Sequence, residues 1–191
     1  DNLDIPVDFD SLQSAGSVMG SGGMVIADET TCMVEFAKFF MQFTCDESCG
    51  KCPPCRIGSI RMLEVLERIT DGRGKLEDLD EIRSIAKGMQ EGSLCALGQL
   101  APAPVMSTLN SFEDEYLAHI QDHVCFAGKC QSMITFSIDP ELCTGCTVCA
   151  RNCPSDAITG ELKKTHVIDQ ELCIRCGMCK EVCKFGAVKV N

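Results

Sequence analysis

Residues 138–158 read IDPELCTGCTVCARNCPSDAI, and residues 168–188 read IDQELCIRCGMCKEVCKFGAV. A shift of 30 places Cys143, Cys146, Cys149 and Cys153 on Cys173, Cys176, Cys179 and Cys183. The tail of the chain is thus one cysteine-bearing unit written twice. So many cysteines in register, in so short a stretch, leave little apolar sequence for an ordinary core. Whatever folds here must be organised around sulfur.

The chain has 16 cysteines in 191 residues, a usage that means either a disulfide framework or metal ligation. The first ten residues, DNLDIPVDFD, are acidic and contain neither a basic n-region nor an apolar h-region. No apolar run approaches the roughly 18 residues of a membrane span. The expectation is a cytoplasmic chain whose thiols stay reduced and serve as metal ligands. Its opening without methionine is what a segment of a longer polypeptide would show. The formal net charge of −11 is unevenly spread, with 21 acids against 10 bases through Met133 and 7 of each from Ile134 onward. An acidic surface repels phosphate backbones, so nucleic acid is not an expected partner.

Each tail repeat is C-x2-C-x2-C-x3-C, the spacing of bacterial ferredoxins with two [4Fe-4S] clusters. Two intervening residues curl the backbone so that three successive sulfurs can reach one cube. The three-residue step enters a helical turn that carries the fourth sulfur towards the other cube. The expected ligand sets are therefore crossed: Cys143, Cys146, Cys149 and Cys183 for one cluster, and Cys153, Cys173, Cys176 and Cys179 for the other. Ile138, Ile158, Ile168 and Val188 flank the loops at matching positions and should cover them from short strands. Zinc also uses C-x2-C pairs, but two register-matched copies of four cysteines favour clusters. Pro154 follows Cys153 as the ferredoxin pattern asks, whereas Lys184 follows Cys183. A charged residue there is expected to shift that cluster's potential without disturbing the fold.

Further upstream, Glu47 to Arg56 reads ESCGKCPPCR, with three cysteines at two-residue intervals and no fourth three residues on. An apolar stripe follows at Ile57, Ile60, Leu63, Leu66 and Ile69, then the turn DGRGK, then a second stripe at Leu79, Ile82, Ile85 and Met89. Gly92 ends that second helix. A helical hairpin would thus carry Cys95, in SLCALG, back beside Cys49, Cys52 and Cys55. The segment resembles the cluster-binding helical bundle of the flavoprotein subunit of respiratory NADH dehydrogenase and the β subunits of soluble NAD-linked hydrogenases and formate dehydrogenases. With the ferredoxin tail behind it, it most resembles the β subunit of trimeric, electron-bifurcating [FeFe]-hydrogenases. The resemblance implies a third [4Fe-4S] cluster on Cys49, Cys52, Cys55 and Cys95, with Ala96 and Leu97 at the edge of a flavin. It places FMN and NAD in a preceding domain. It also implies a catalytic [FeFe] subunit, a small [2Fe-2S] subunit and soluble ferredoxin as partners. A thioredoxin-like disulfide pair would need a βαβ context that these helices do not supply, and a zinc site here would interrupt a chain of clusters.

Four cysteines remain. Cys125 and Cys130 form a C-x4-C loop behind His119 and His123, a zinc half-site in style. Cys32, at the start of the first helix, would complete three thiolates and the imidazole of His119; related β subunits with ferredoxin tails share a TCMV-like start there, which favours Cys32 over Cys45. The alternative is that these are ordinary buried thiols. Cys45 lies in an apolar helix and reads as packing, and His123 and His166 read as solvated. Gly16, Gly20, Gly22 and Gly23 do not make a G-x-G-x-x-G loop; a turn before a short strand at Met24–Ala27 is expected, with Asp28, Thr30 or Thr31 capping the next helix. The acidic run Glu77–Glu81 reads as a solvated helix start. No nucleotide-binding loop or nucleophile–base pair is present, so the chain lacks a catalytic site of its own.

The expected class is α+β, with a linker and short strand over 1–29 and a four-helix-type bundle over 30–122. A junction with the zinc site and a hinge follows over 123–137, then the 2[4Fe-4S] ferredoxin domain over 138–191. Electron transfer within an NAD-linked hydrogenase complex is the expected function. A formate dehydrogenase β subunit and a non-redox, zinc-stabilised docking module are the alternatives.

Overall fold

A computed structural model describes residues 4–17 and 24–190. The chain divides into two compact units, Asp1–Ala127 and Gly128–Asn191, a boundary that falls inside the expected junction.

The first unit opens with a short helix, α1 (Phe9–Ser14), where only a linker was expected. Asp8 caps it, its carboxylate accepting from the Ser11 amide at 2.7 Å. Residues 24–28 form no strand and are exposed, so the strand expected at Met24–Ala27 is not found among the described residues. Gly20, Gly22 and Gly23 lie outside those residues. The cap of α2 (Met33–Glu47) is also not the expected one. Asp28 turns onto its own neighbourhood, accepting from the Thr30 amide and hydroxyl at 3.0 and 2.7 Å, and the capping atom is the sulfur of Cys32.

Helix α2 buries Val34, Ala37, Met41 and Thr44, one face at helical spacing. It packs on α3 (Pro53–Thr70) and α6 (Ala103–Ser111), while α3 packs on α4 (Glu77–Gly92). Two prolines open α3, where an amide proton is dispensable. Its buried face runs Cys55, Ser59, Met62, Leu66 and Ile69, sharing Leu66 and Ile69 with the expected stripe and departing from it in the first half of the helix. Ile57 and Ile60 stand outside it, 60% and 51% exposed. Each fully buried aliphatic residue of that face contributes about 1.5–3 kcal/mol. Gly58 lets the hairpin close, because a Cβ there would lie 2.6 Å from Met89 Cγ. Helix α5 (Ala96–Leu100) follows the hairpin, and α7 (Glu113–Leu117) runs on into a π turn at Ala118–Asp122. Tyr116, fully buried, has its hydroxyl 2.9 Å from that of Thr108.

The second unit is the doubled one. Strand β1 (Phe136–Ile138) pairs antiparallel with β4 (Val188–Val190), and β2 (Ile158–Thr159) pairs with β3 (Val167–Ile168). Ile138 faces Val188 and Ile158 faces Ile168, the four residues expected to flank the cysteine loops. Residues 136 and 137, assigned to the hinge, are already in β1. One-turn helices α8 (Val148–Arg151) and α9 (Met178–Glu181) follow the two cysteine loops. Phe136, Ile158, Ile168, Cys179 and Val188 make the buried cluster. No helix among the described residues is long and apolar enough to cross a membrane.

Asp78, expected in a solvated helix start, is instead buried. Its carboxylate takes Arg68 Nε at 3.1 Å and Nη2 at 2.5 Å, and the Lys75 amide at 2.8 Å. Burial pushes its pKa up, but the bonds from Arg68 and Lys75 outweigh it and hold the carboxyl below its usual value. With the folded pKa depressed, this contribution is present above the ordinary carboxylate range near 3.9 and fades as pH falls through the folded value. Asp78→Ala, which removes the buried acceptor and leaves Arg68 with Glu81 at 3.2 Å, should cost about 1–3 kcal/mol. Thermal unfolding of the protein at pH 7 checks this, and a variant melting within error of wild type refutes it.

Candidate metal centres

In the second unit the backbone shapes each cysteine loop by left-handed turns. Gly145 and Thr147 have φ of 68° and 64°, and their counterparts Arg175 and Gly177 have 56° and 78°. The two halves exchange hydrogen bonds: the Asp139 amide donates to the Ala187 carbonyl at 2.7 Å, and the Asp169 amide to the Ala157 carbonyl at 2.8 Å. Each loop is thereby tied to the far end of the other repeat. One cavity of about 340 Å³ is lined by Cys143, Cys146, Cys149 and Cys183. A second, of about 300 Å³, is lined by Cys153, Cys173, Cys176 and Cys179. These are the crossed sets expected from the spacing, and soft thiolates gathered four to a socket fit an iron–sulfur cluster.

The thiols within a set differ. Burial pushes Cys149 and Cys179 up, and the neighbouring cysteines of the same loop add to it. Burial alone would also raise Cys153 and Cys183. Cys153 is nevertheless lowered by the Ser155 hydroxyl and by the amides of Ser155 and Ala157, and Cys183 by the amides of residues 185–188. The fourth ligand of each set thus sits where backbone N–H groups favour its anion. Lys184 is exposed.

His166 is not solvated, as was expected, but 1% exposed, and its ring lines the first socket. The 30-residue offset was the available signal, because it sets His166 on Phe136 in the second socket. His123 is exposed as expected.

In the first unit, Cys49 lies in the loop between α2 and α3, Cys52 caps α3, Cys55 is in its first turn and Cys95 caps α5. Cys52 and Cys55 are buried, and Cys49 and Cys95 exposed. The hairpin returns where expected: the Leu94 amide donates to Cys52 and holds its thiol below the ordinary value. Gly98 of α5 abuts Cys55, since a Cβ there would lie 2.9 Å from that of Cys55. Arg56 pins the loop by donating to the Gly50 carbonyl at 2.7 Å. The N-terminus of α3 adds its dipole, which favours negative charge. Ala96 and Leu97 are exposed, with Leu94 and Leu100 beside them.

A fourth donor set is formed by Cys32, His119, Cys125 and Cys130, whose ligating atoms all lie within 4.8 Å of one another, with every residue buried. His119 is in the π turn, where Ala118, His119 and Ile120 are buried in succession. Its Nδ1 donates to the Glu115 carbonyl at 2.7 Å, and its Nε2 lies 3.3 Å from Cys32 Sγ. Burial lowers the ring's pKa, but Cys125 and Cys32 beside it raise it to about 10. Fixing Nδ1 on a carbonyl is how proteins orient an imidazole whose other nitrogen binds metal. Cys45 is half-buried outside this set, and burial pushes its thiol up.

Residues 35–119 match the NADH-ubiquinone oxidoreductase-F iron-sulfur binding region, and residues 135–184 a 4Fe-4S dicluster domain. The chain is 50% identical over 165 residues to the NADP-reducing hydrogenase subunit HndC of Solidesulfovibrio fructosivorans, covering 86% of this chain and 34% of that protein. Against an NADH-quinone oxidoreductase subunit of Mycobacterium bovis it is 42% identical over 125 residues, covering 65% and 28%. The crystal structure of an NAD+-reducing [NiFe]-hydrogenase in the H2-reduced state aligns with a TM-score of 0.52 and 26% identity, over 74% of this chain and 24% of that one. The chain thus spans about a third or less of the length of these relatives. Its fold is of the expected class, a helical iron–sulfur binding region followed by a 4Fe-4S dicluster domain.

Proposed function

We propose that this chain is the electron-transfer portion of an NAD(P)-linked hydrogenase-type complex, holding three [4Fe-4S] clusters and one zinc ion. The observation that carries this reading is the crossed gathering of eight cysteines into two four-thiol sockets. When bound, each cluster supplies one-electron redox chemistry at a fixed position. The residues do the holding: Cys143, Cys146, Cys149 and Cys183 for one, Cys153, Cys173, Cys176 and Cys179 for another, and Cys49, Cys52, Cys55 and Cys95 for the third. Ile138, Ile158, Ile168 and Val188 keep water from the tail sockets, and backbone amides at Cys52, Cys153 and Cys183 offset part of the thiolate charge. The similarity to HndC and to the mycobacterial NADH-quinone oxidoreductase protein supports placing the flavin and NAD in a preceding domain of a longer protein. There, Ala96 and Leu97 would face the flavin edge, and hydrogenase subunits with [FeFe] and [2Fe-2S] centres, or soluble ferredoxin, would exchange electrons with this part. Electron bifurcation is the finer reading, favoured by the ferredoxin tail.

Zinc is assigned to Cys32, His119, Cys125 and Cys130, because three thiolates and one imidazole make a closed site of the structural kind. Anaerobically purified protein should contain about twelve irons, as many sulfides and one zinc per chain. Colourless protein holding zinc alone would instead support a docking module. Cys125→Ser should lose the zinc and keep the iron, whereas Cys49→Ser should lose about four irons and keep the zinc. Elemental analysis of the two variants separates the centres, and loss of both metals from either one would overturn the assignment.

A further inference from the structure

Inside its sockets the repeat that builds the second unit is broken at several places, Thr144 onto Ile174 and Thr147 onto Gly177 among them, and two of the breaks exchange an aromatic ring. Shifting residue numbers by 30 carries Ile138 onto Ile168 and Val148 onto Met178. The same shift carries His166 onto Phe136 and Phe185 onto Ser155. One socket therefore has an imidazole where the other has a phenyl ring, and a phenyl ring where the other has a hydroxyl.

His166 is built in. Its ring lies against Gly160, where a Cβ would come within 2.6 Å of the ring's Cγ, so that glycine is the space the imidazole occupies. Its Nδ1 is 3.2 Å from the Lys164 carbonyl oxygen, and its Nε2 meets no hydrogen-bond partner among the described residues. A buried polar atom left in that state is destabilising, and a phenylalanine in its place, as in the other repeat, would cost nothing of the kind. The ring borders Cys143, Cys146, Cys149 and Cys183 in one cavity, with Thr144 and Thr147 in the same wall, so sulfurs are the commonest acceptors at hand there.

We propose that His166 is a positioning residue of the first tail cluster, its Nε2–H donating to a sulfur there and raising that cluster's reduction potential relative to a socket lined by phenylalanine. This rests on the cluster reading above. Reduction adds negative charge to the sulfurs, and a donor stabilises the more negative state. At 3.2 Å the Nδ1 contact is at the long limit for a hydrogen bond. A neutral ring has one proton, so a bond from Nε2 to an anionic sulfur leaves Nδ1 an acceptor and requires the Lys164 carbonyl to turn away from it. The second socket has a donor of a different kind, the Ser155 hydroxyl 3.6 Å from Cys153 Sγ. The two clusters are thus tuned by separate residues that the repeat does not share.

Redox titration of the anaerobically purified, cluster-bearing protein, followed by low-temperature EPR, tests this. His166→Phe should lower the midpoint of one cluster by about a tenfold change in its reduction equilibrium, ~59 mV for one electron. The other midpoints should hold. His166→Gln, which keeps a donor amide, should recover most of the shift, and Ser155→Ala should lower the midpoint of a different cluster. Unmoved midpoints at full iron content overturn the inference, as does a glutamine variant displaced as far as the phenylalanine one. Iron lost from both His166 variants would make the ring a support for the fold alone and also overturn it. Wild-type protein without iron or sulfide would refute the cluster reading itself, a result distinct from these.

Discussion

Four thiols that face one another repel as soon as they ionise, and that repulsion is what this chain is arranged to contain. Cys149 and Cys179 show it directly, since neighbouring cysteines of the same loop add to burial in holding their protons on. A peptide with C-x2-C-x2-C spacing brings three sulfurs together locally, but it gains nothing from doing so until positive charge arrives. The fourth sulfur has to be supplied by rigid structure from elsewhere. In the tail that structure is the other copy of the repeat, tied in by the exchanged bonds of Asp139 and Asp169. In the bundle it is the α3–α4 hairpin, closed at Gly58.

The same constraint explains where the backbone amides point. Cys183 and Cys153 sit at the ends of one-turn helices where successive N–H groups converge, and Cys52 receives the Leu94 amide from the returning chain. Amide dipoles need no counterion and no second acidic or basic group, so they can favour a thiolate inside a socket without occupying its volume. Two of the neighbouring cationic side chains point elsewhere: Lys184, next to Cys183, is exposed, and Arg56 directs its guanidinium to the Gly50 carbonyl.

Much of this was legible in the sequence because it is local. Cysteine spacing, the 30-residue offset and the flanking positions of Ile138, Ile158, Ile168 and Val188 all follow from short-range pattern, whereas the pairing of Ile138 with Val188 does not. The hairpin that delivers Cys95 was readable from two apolar stripes and a Gly-rich turn. The phase of the α3 stripe was not, because its buried face is made partly of Cys55, Ser59 and Met62, while the more apolar Ile57 and Ile60 stay outside it. Asp78 was misread for a related reason. An acidic residue in a first helical turn has a sufficient local explanation in the dipole, and the Arg68 that buries it is known only once α3 and α4 are packed. His166 was the missed residue that could have been found, since a histidine replacing a core phenylalanine of an internal repeat is a marked position even without coordinates.

The fourth donor set differs from the others in its donors, and the donors separate its chemistry. A tetrahedral ion with thiolates at about 2.3 Å holds its sulfurs roughly 3.8 Å apart, and the four ligating atoms here lie within 4.8 Å of one another. A cubane would push its thiolates outward around a solid core, and the tail sulfurs line two separate cavities, four to each. Sulfur is common to both, so composition cannot distinguish them. The imidazole can: His119, turned inward by the π segment and oriented through the Glu115 carbonyl, brings a neutral ligand to a set of three thiolates. That lowers the anionic charge the set must carry. Under the zinc reading, one divalent ion would leave it at about −1.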